Sequence, residues 1–236
     1  MMDRWRAWQV LVDGVLATPH GTRRLVARHA EPPGAHFVGL DDQSAFADYF
    51  TTDARGTIAA ALPGWPVTRY VTILADAIDQ AGWAAAGYRL DAVETLMVRD
   101  LALPLPAPPA LPIEWVTDPD VAAWCGAHDP LGERWIAPLA TADATLRHAV
   151  LRVDGLPASR GRITRLTPDA GFVTSVATAP ALRRRGLADA LMRGMLHDEA
   201  QRGARWSVLQ AAPGAAGVYA RLGYRALSPT WVLVAP

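Results

Sequence analysis

Arg183-Arg184-Arg185-Gly186-Leu187-Ala188 sets three guanidinium groups directly before a glycine and a small apolar pair. If a helix begins there, its first amides have no intrahelical partner and carry the positive end of the macrodipole. Such amides hold a phosphate or pyrophosphate. Gly186 lets a ligand approach with no Cβ in the way, Ala188 keeps the first turn slim, and the arginines add cationic charge. The pattern predicts an anion site for a nucleotide-like diphosphate. An ordinary strand–helix junction with a solvated arginine cluster uses the same residues, and the turn alone does not separate the two readings.

The elements around the turn favour a built site. Phe172, Val173, Thr174, Val176 and Thr178 are aromatic or β-branched and predict a strand. Ala179-Pro180 ends it, because proline has no N–H for a ladder. Past the turn, Leu187, Leu191 and Met195 recur every four residues with Leu196 beside them, one apolar face of a helix. Gly203 is a natural C-terminal stop. Upstream, Ile113 to Val116 reads as a strand, and Asp118-Pro119 as an N-cap followed by a first-turn proline. Leu146 to Val153 and Leu156 to Leu166 read as strands joined by the hairpin turn Asp154-Gly155. Pro168 to Gly171 then turns into the strand before the arginines. His128 to Asp143 reads as irregular, with Trp135 and Ile136 as buried anchors. Downstream, the pattern predicts a strand at Arg205 to Gln210, a helix at Gly217 to Leu222 and a last strand at Trp231 to Ala235.

Val176-Ala177-Thr178-x-Pro180-x-x-Arg183-Arg184-Arg185-Gly186-Leu187-Ala188 resembles motif A of the GNAT N-acetyltransferases, whose Q/R-x-x-G-x-G/A reads Arg183-x-x-Gly186-x-Ala188 here. Val218-Tyr219-Ala220-Arg221-Leu222-Gly223-Tyr224-Arg225 resembles the same family's motif B. The resemblance covers Leu111 to Pro236 well and the first hundred residues weakly. It implies an α/β (α+β) fold, a mixed and mostly antiparallel sheet flanked by helices. It implies acetyl-CoA or another acyl-CoA as co-substrate, with no metal. The diphosphate would lie on the turn formed by Arg183, Arg184, Arg185, Gly186, Leu187, Ala188 and Asp189. The pantetheine would lie along Val176, Ala177 and Thr178. The amide of Val176 would polarise the thioester carbonyl, and Tyr219 would protonate the leaving thiolate. The strand carboxylate that many members use as a base has Thr174 and Ser175 in its place. Glu133, Asp169, His128, His148 and the C-terminal carboxylate of Pro236 are the remaining candidates, together with a water chain. The asparagine that the family often has before its motif B helix is Ala212 here.

The first hundred residues carry an internal echo. Trp83-Ala84-Ala85-Ala86-Gly87-Tyr88-Arg89 aligns with Tyr219-Ala220-Arg221-Leu222-Gly223-Tyr224-Arg225, and without a gap Leu96-Met97-Val98 falls on Val232-Leu233-Val234. This predicts a repeat of helix, glycine cap and strand. Carrying the arginine-glycine turn back by the same offset lands on Ala47 to Thr52, which has neither residue type. The first half thus reads as a degenerate GNAT-like domain over residues 1–102. Within it the pattern predicts helices at Asp3 to Ala17, Ala45 to Phe50 and Val71 to Trp83, and strands at His36 to Leu40 and Glu94 to Leu101. Thr18 to Gly21 and Pro63 to Pro66 read as breakers. Leu103 to Pro112 holds five prolines in ten residues, a semi-rigid linker. Residues 113–236 then form the catalytic domain, giving two GNAT-like halves in tandem.

Composition narrows the function classes. Lys+Arg of 23 against Asp+Glu of 23 gives a net charge of +0, and no global basic surface argues for nucleic acid. Every basic residue in the Lys+Arg count is arginine. One cysteine, Cys125, excludes an intramolecular disulfide and a cysteine-cluster metal site, and it reads as a core thiol. No apolar run reaches a membrane span and no signal pattern opens the chain, so the expectation is a cytoplasmic protein. A small-molecule amine is the expected acceptor, and a homodimer is allowed. The competing readings are a non-catalytic acyl-CoA-binding or sensory module and a protein N-acetyltransferase.

Overall fold

A computed structural model describes residues 1–17, 24–31, 34–40, 46–57, 68–122 and 145–235. In chain order the elements are α1 (Arg4–Ala17), β1 (Arg24–Glu31), β2 (Gly34–Leu40), β3 (Phe46–Thr51), β4 (Thr68–Leu74), α2 (Gln80–Ala85), β5 (Arg89–Asp100), β6 (Glu114–Val116), β7 (Leu146–Val153), β8 (Leu156–Thr167), β9 (Ala170–Thr178), α3 (Leu187–Gln201), β10 (Trp206–Ala211), α4 (Ala216–Arg221) and β11 (Arg225–Ala235). β1 and β2 form a separate antiparallel pair. The other strands make one nine-stranded sheet in the order β3-β4-β11-β5-β10-β9-β8-β7-β6. It is antiparallel except at β3–β4 and β9–β10. The architecture is therefore a mixed α/β one, with a mostly antiparallel sheet flanked by helices.

The β7-β8-β9 meander forms as its turns dictate. Asp154 and Gly155 both adopt positive φ, 52° and 80°, the hairpin geometry that suits right-twisted strands. Leu191, Met195 and Gly161 set α3 against β8 and β9. Leu191 and Met195 are buried among Ile163, Val173 and Leu209, and at Gly161 a Cβ would lie 2.9 Å from the sulfur of Met195. On the opposite face Met2 and the α1 residues Trp8, Leu11 and Val12 are buried with Phe50, Leu96, Phe172, Trp206 and Val208. One helix thus covers strands from both ends of the chain. The proline-rich segment has no helix or strand between Pro104 and Pro112. It is tied along α3, with the carbonyl of Pro106 2.7 Å from His197 Nε2.

The sheet order interleaves the ends of the chain. β5, the last strand before the prolines, sits between β10 and β11. β11, the last strand of all, reaches beyond β5 to pair with β4 from Thr230↔Leu74 to Ala235↔Arg69. A parallel pair, β3–β4 or β9–β10, followed by an antiparallel partner donated by the other half, occurs on both sides of the β5–β11 seam. The echo seen in the sequence has the same local geometry in both copies. Gly87 and Gly223 adopt φ of 87° and 82°. Tyr88 N donates to the carbonyl of Trp83 and Tyr224 N to that of Tyr219. The rings meet edge to face in both, at 5.3 Å for Trp83–Tyr88 and 5.9 Å for Tyr219–Tyr224.

Four expectations need correction. Val71 to Trp83 is not one helix: Thr68–Leu74 is β4 and only Gln80–Ala85 is helical. Leu74, Ile78 and Ala81 mimic helical spacing, but Val71, Thr72 and Ile73 are β-formers and find a ladder on β11. Ala45 to Phe50 is not helical either, since Phe46–Thr51 is β3, paired in parallel with β4. β11 starts at Arg225, well before Trp231, because β5 offers partners along its whole length. Gly171 lies inside β9, not in the turn before it. Cys125, His128, Glu133, Trp135, Ile136, the breakers at Thr18 to Gly21 and Pro63 to Pro66, and Pro236 lie outside the described residues.

Candidate acyl-transfer site

The arginine-glycine turn is built as an open helix N-terminus. Proline at 180 starts a single 3₁₀ turn, Pro180–Leu182, and Arg184 adopts φ 62°. Gly186 caps α3 at φ 76°, a left-handed conformation that a side chain would strain. No side chain caps the helix, and the first intrahelical bond runs from Ala190 N to Gly186 O at 2.9 Å. The amides of Leu187, Ala188 and Asp189 are therefore the orphan donors of the first turn. A Cβ on Gly186 would meet nothing within 4 Å, so space exists for a ligand against these amides. Arg183, Arg184 and Arg185 are exposed around them. Arg183 Nε donates to the carbonyl of Thr178 at 3.2 Å, which fixes the turn onto the strand end. The carboxylate of Asp189 is held 2.7 Å from Arg193 Nε, so its negative charge is partly countered beside an anion site.

β9 and β10 pair only from Ala170↔Trp206 to Val173↔Leu209. Beyond Val173 the two strands part, and Thr174 to Thr178 are half-buried. The cause lies in β9: its register with β8 slips between Arg162↔Thr174 and Arg160↔Ala177, and Ser175 in the slip takes φ 54°. A bulge of this kind bends the strand and leaves peptide groups off the ladder. The result is a cleft whose β9 edge carries Val176, Ala177 and Thr178, leading to the α3 N-terminus. Thr178 Oγ1 and Ser159 Oγ lie 3.0 Å apart, and Ser159 Oγ donates to the carbonyl of Ala177 at 3.0 Å. These contacts stiffen the end of the strand.

Tyr219, on α4, packs against the same apolar cluster as Val176. Burial pushes its phenol pKa up, so the hydroxyl keeps its proton to higher pH. Its ring leans on Tyr224, whose hydroxyl is 2.6 Å from Ser207 Oγ and is buried enough to stay protonated throughout. Ser207 and Tyr224 thus brace Tyr219 from behind. Tyr224 was visible in the sequence only as the aromatic after a glycine cap, and Ser207 carried no signal at all. Arg99, buried on β5, adds a second brace: a Cβ on Gly223 would fall 1.6 Å from its Nη1, so only glycine lets the arginine cross there.

The candidate bases fare differently. His148 lies on β7, buried, and its pKa is pushed down to about 3, first by burial and then by Arg162 and Arg160. It is neutral at any physiological pH and too weak to take a proton from an amine. Asp169 lies at the far end of β9, paired with Arg6 on α1. Among the described residues no group of three or more His, Cys, Asp or Glu side chains could hold a metal, and no helix is long and apolar enough to cross a membrane.

The first half also turns at a positive-φ glycine after a strand, at a different place from the one the sequence offset gives. Ala47 to Thr51 are within β3. The counterpart follows the strand, at Asp53-Ala54-Arg55-Gly56-Thr57, and Gly56 adopts φ 77°. The offset failed because fewer residues join β3 to β4 than join β9 to β10. This turn is closed by its own side chains. Asp53 Oδ1 accepts from Arg55 N at 3.0 Å and Oδ2 from Thr57 Oγ1 at 2.9 Å. The ring of Trp83, fully buried, lies 3.2 Å from where a Cβ on Gly56 would be.

Residues 164–227 match the family model of the acetyltransferase (GNAT) domain, a span that includes the cleft, the α3 turn and Tyr219. No curated protein matches the chain. Among solved structures, the chain resembles a GCN5-related N-acetyltransferase from Kribbella flavida at 19% identity and TM-score 0.70, covering 100% of this chain and 97% of that one. It also resembles a tandem GNAT protein from the clavulanic acid biosynthesis pathway at 16% identity and TM-score 0.58, covering 98% and 93%. A GCN5-related N-acetyltransferase from Sphaerobacter thermophilus is similar at 18% identity and TM-score 0.59, covering 86% and 78%. At these identities the structural likeness establishes the fold.

Proposed function

We propose, for a chain whose residues 164–227 carry a GNAT acetyltransferase domain, that it transfers an acetyl group from acetyl-CoA to the primary amine of a small molecule. The observation that carries this reading is the cleft between β9 and β10, opened by the Ser175 bulge and ending at an uncapped helix N-terminus. A diphosphate needs the second feature and an extended amide-bearing arm needs the first. The residues fit acetyl-CoA as substrate: the amides of Leu187, Ala188 and Asp189 with the surrounding arginines would hold its diphosphate, and the edge of Val176 to Thr178 its pantetheine. The N–H of Val176 would stabilise negative charge developing on the carbonyl oxygen. Tyr219 would give its proton to the departing sulfur. A phenol with an ordinary value near 10 is close to an alkyl thiol, and burial, which raises it, keeps the proton on the hydroxyl until the thiolate forms.

The first half contributes no second coenzyme site in this reading, since Asp53 and Trp83 fill the corresponding turn. The two halves in tandem, residues 1–102 and 113–236 about the 103–112 segment, would be one catalytic and one supporting unit. Calorimetry with acetyl-CoA tests the core claim. Wild type should bind one molecule per chain. Gly186→Glu should abolish binding, because it forces a side chain into the left-handed cap and sets an anion where the diphosphate belongs. Unchanged affinity in a folded Gly186→Glu protein removes the turn from the site. A panel of amines with acetyl-CoA, read by free-thiol release, then separates an enzyme from a binding module.

A further inference from the structure

We propose that Glu94 takes the proton from the acceptor ammonium, through one water, before the amine attacks. This rests on the acyl-transfer reading above and supplies the base that β9 lacks. A primary alkylamine resembles a lysine side chain, whose ordinary pKa is about 10.4. It reaches a neutral site protonated and has no lone pair to attack with until a base takes the proton. Thr174 and Ser175 beside the cleft cannot serve.

β5 brings the missing carboxylate. It borders β10 on the side away from β9, and Thr95 lies opposite Ala211, the last residue of β10. Glu94 is therefore level with Ala212, just past the end of β10, at the open mouth of the cleft. Across the other neighbour it lies opposite Thr230. Gln210 Nε2 donates to Thr230 Oγ1 at 3.0 Å, so the carboxylate stands beside an amide–hydroxyl bridge able to order a water. Leu96, two residues on, is buried beneath α1, which puts Glu94 on the α1 face of the sheet. Val176, Tyr219 and α3 belong to the opposite face. An amine attacks the planar thioester carbonyl from above or below its plane, and Glu94 would serve an acceptor that enters from the α1 face.

Several other carboxylates of the sheet and α3 are paired elsewhere. Glu114 is bidentate to Arg152, at 2.7 and 3.2 Å. Asp169 pairs with Arg6 at the far end of the sheet. Asp198 and Glu199 face Arg147 on the α3 side. Glu94 is half-buried, and burial first, then Asp91 on its own strand, raises its pKa. Asp91 is itself 3.5 Å from Arg89. The residues that β10 and β11 place at this level, Gln210, Ala211, Thr230 and Trp231, carry no charge. A raised carboxylate is a stronger base than an ordinary one. The proton balance is closed: the ammonium loses one proton through water to Glu94, the nitrogen bonds to the carbonyl carbon, the carbon–sulfur bond breaks, the thiolate takes a proton from Tyr219, and the nitrogen gives up its second proton through water to restore the Tyr219 phenol. Glu94 returns its proton to solvent.

The test compares two nucleophiles in wild type and Glu94→Gln, each with acetyl-CoA: tyramine, protonated at neutral pH, and hydroxylamine, which is not. With tyramine the variant should lose about a hundredfold in kcat/KM at pH 7, and its rate should climb with pH toward the amine's own pKa. With hydroxylamine it should stay close to wild type, and acetyl-CoA affinity by calorimetry should be unchanged. An equal loss with both nucleophiles makes Glu94 structural and overturns the proposal, as does a wild-type pH profile retained with tyramine. Wild-type protein that binds no acetyl-CoA, or transfers to neither nucleophile, overturns the proposed function itself, and Glu94's role with it.

Discussion

At the scale of single residues, Tyr219 carries the clearest expectation. Tyr219→Phe keeps the ring on Tyr224 and removes only the proton. Melting temperature and acetyl-CoA affinity should stay close to wild type, while kcat falls by roughly a hundredfold, as for loss of a general acid. The sign of the pH effect follows from burial. A raised phenol pKa keeps the acid protonated through neutral and mildly alkaline pH, so the descending limb of the wild-type profile should lie above the ordinary tyrosine value of about 10, and the Phe variant should lack it. Wild-type turnover in Tyr219→Phe would make the tyrosine a packing residue. The role assigned to Tyr219 was legible from motif B, whereas Ser207 and Tyr224 behind it were not. Their pairing is across strands and helix, at a sequence separation of 17 residues.

At the scale of elements, α3 is stabilised by its apolar face and opposed by one buried charge. Glu199 is 2% exposed and lies against Gly171, with Arg147 Nη1 3.9 Å away. Burial outweighs the nearby arginines and raises its pKa. A carboxyl whose folded value is raised favours the native state when protonated, so stability is gained below the unfolded value and lost as pH rises through the folded one. Glu199→Gln should therefore raise the denaturation midpoint at pH 8, with the gain shrinking as pH falls. A midpoint difference independent of pH would show that the pKa of Glu199 is the same in the folded and unfolded chain. In the first half, Trp83 fills the space against Gly56 and Tyr88. Trp83→Ala should cost about 3–5 kcal/mol, and Trp83→Phe should keep turnover per folded molecule. A selective loss of catalysis in the Phe variant, with stability intact, would give this half a direct role in the chemistry.

At the scale of the whole molecule, strand exchange is the dominant feature. β5 is paired on one side with β10 and on the other with β11, and β11 continues onto β4. Neither half has a complete sheet by itself. Denaturant unfolding should be a single transition for tyrosine and tryptophan signals from both halves. A nick within residues 103–112 should leave the two pieces associated through gel filtration, and residues 113–236 expressed alone should fail to fold stably. Two separate transitions, or an independently folded second half, would show that the shared sheet contributes little.

The sequence by itself determined the second half's order of strands and helices, the arginine-glycine turn and the tyrosine of α4. These are local signals: side-chain alternation, a proline stop, glycines at positive φ, and residue types at fixed spacing. The repeat of helix, glycine cap and tyrosine was legible for the same reason. Tertiary structure decided the rest. Val71, Thr72 and Ile73 became strand because β11 was there to pair with them, and β11 lengthened because β5 lay alongside. The cleft depends on a register slip between β8 and β9 that no residue type at 175 announces. The first-half turn was misplaced because a constant offset cannot follow connections of unequal length. Glu94 reads as one more polar residue in a strand, and it gains its position at the cleft only when β5 crosses into the other half's sheet. Pairings between strands more than a hundred residues apart are set by the burial and hydrogen bonding of the whole sheet, and no local pattern records them.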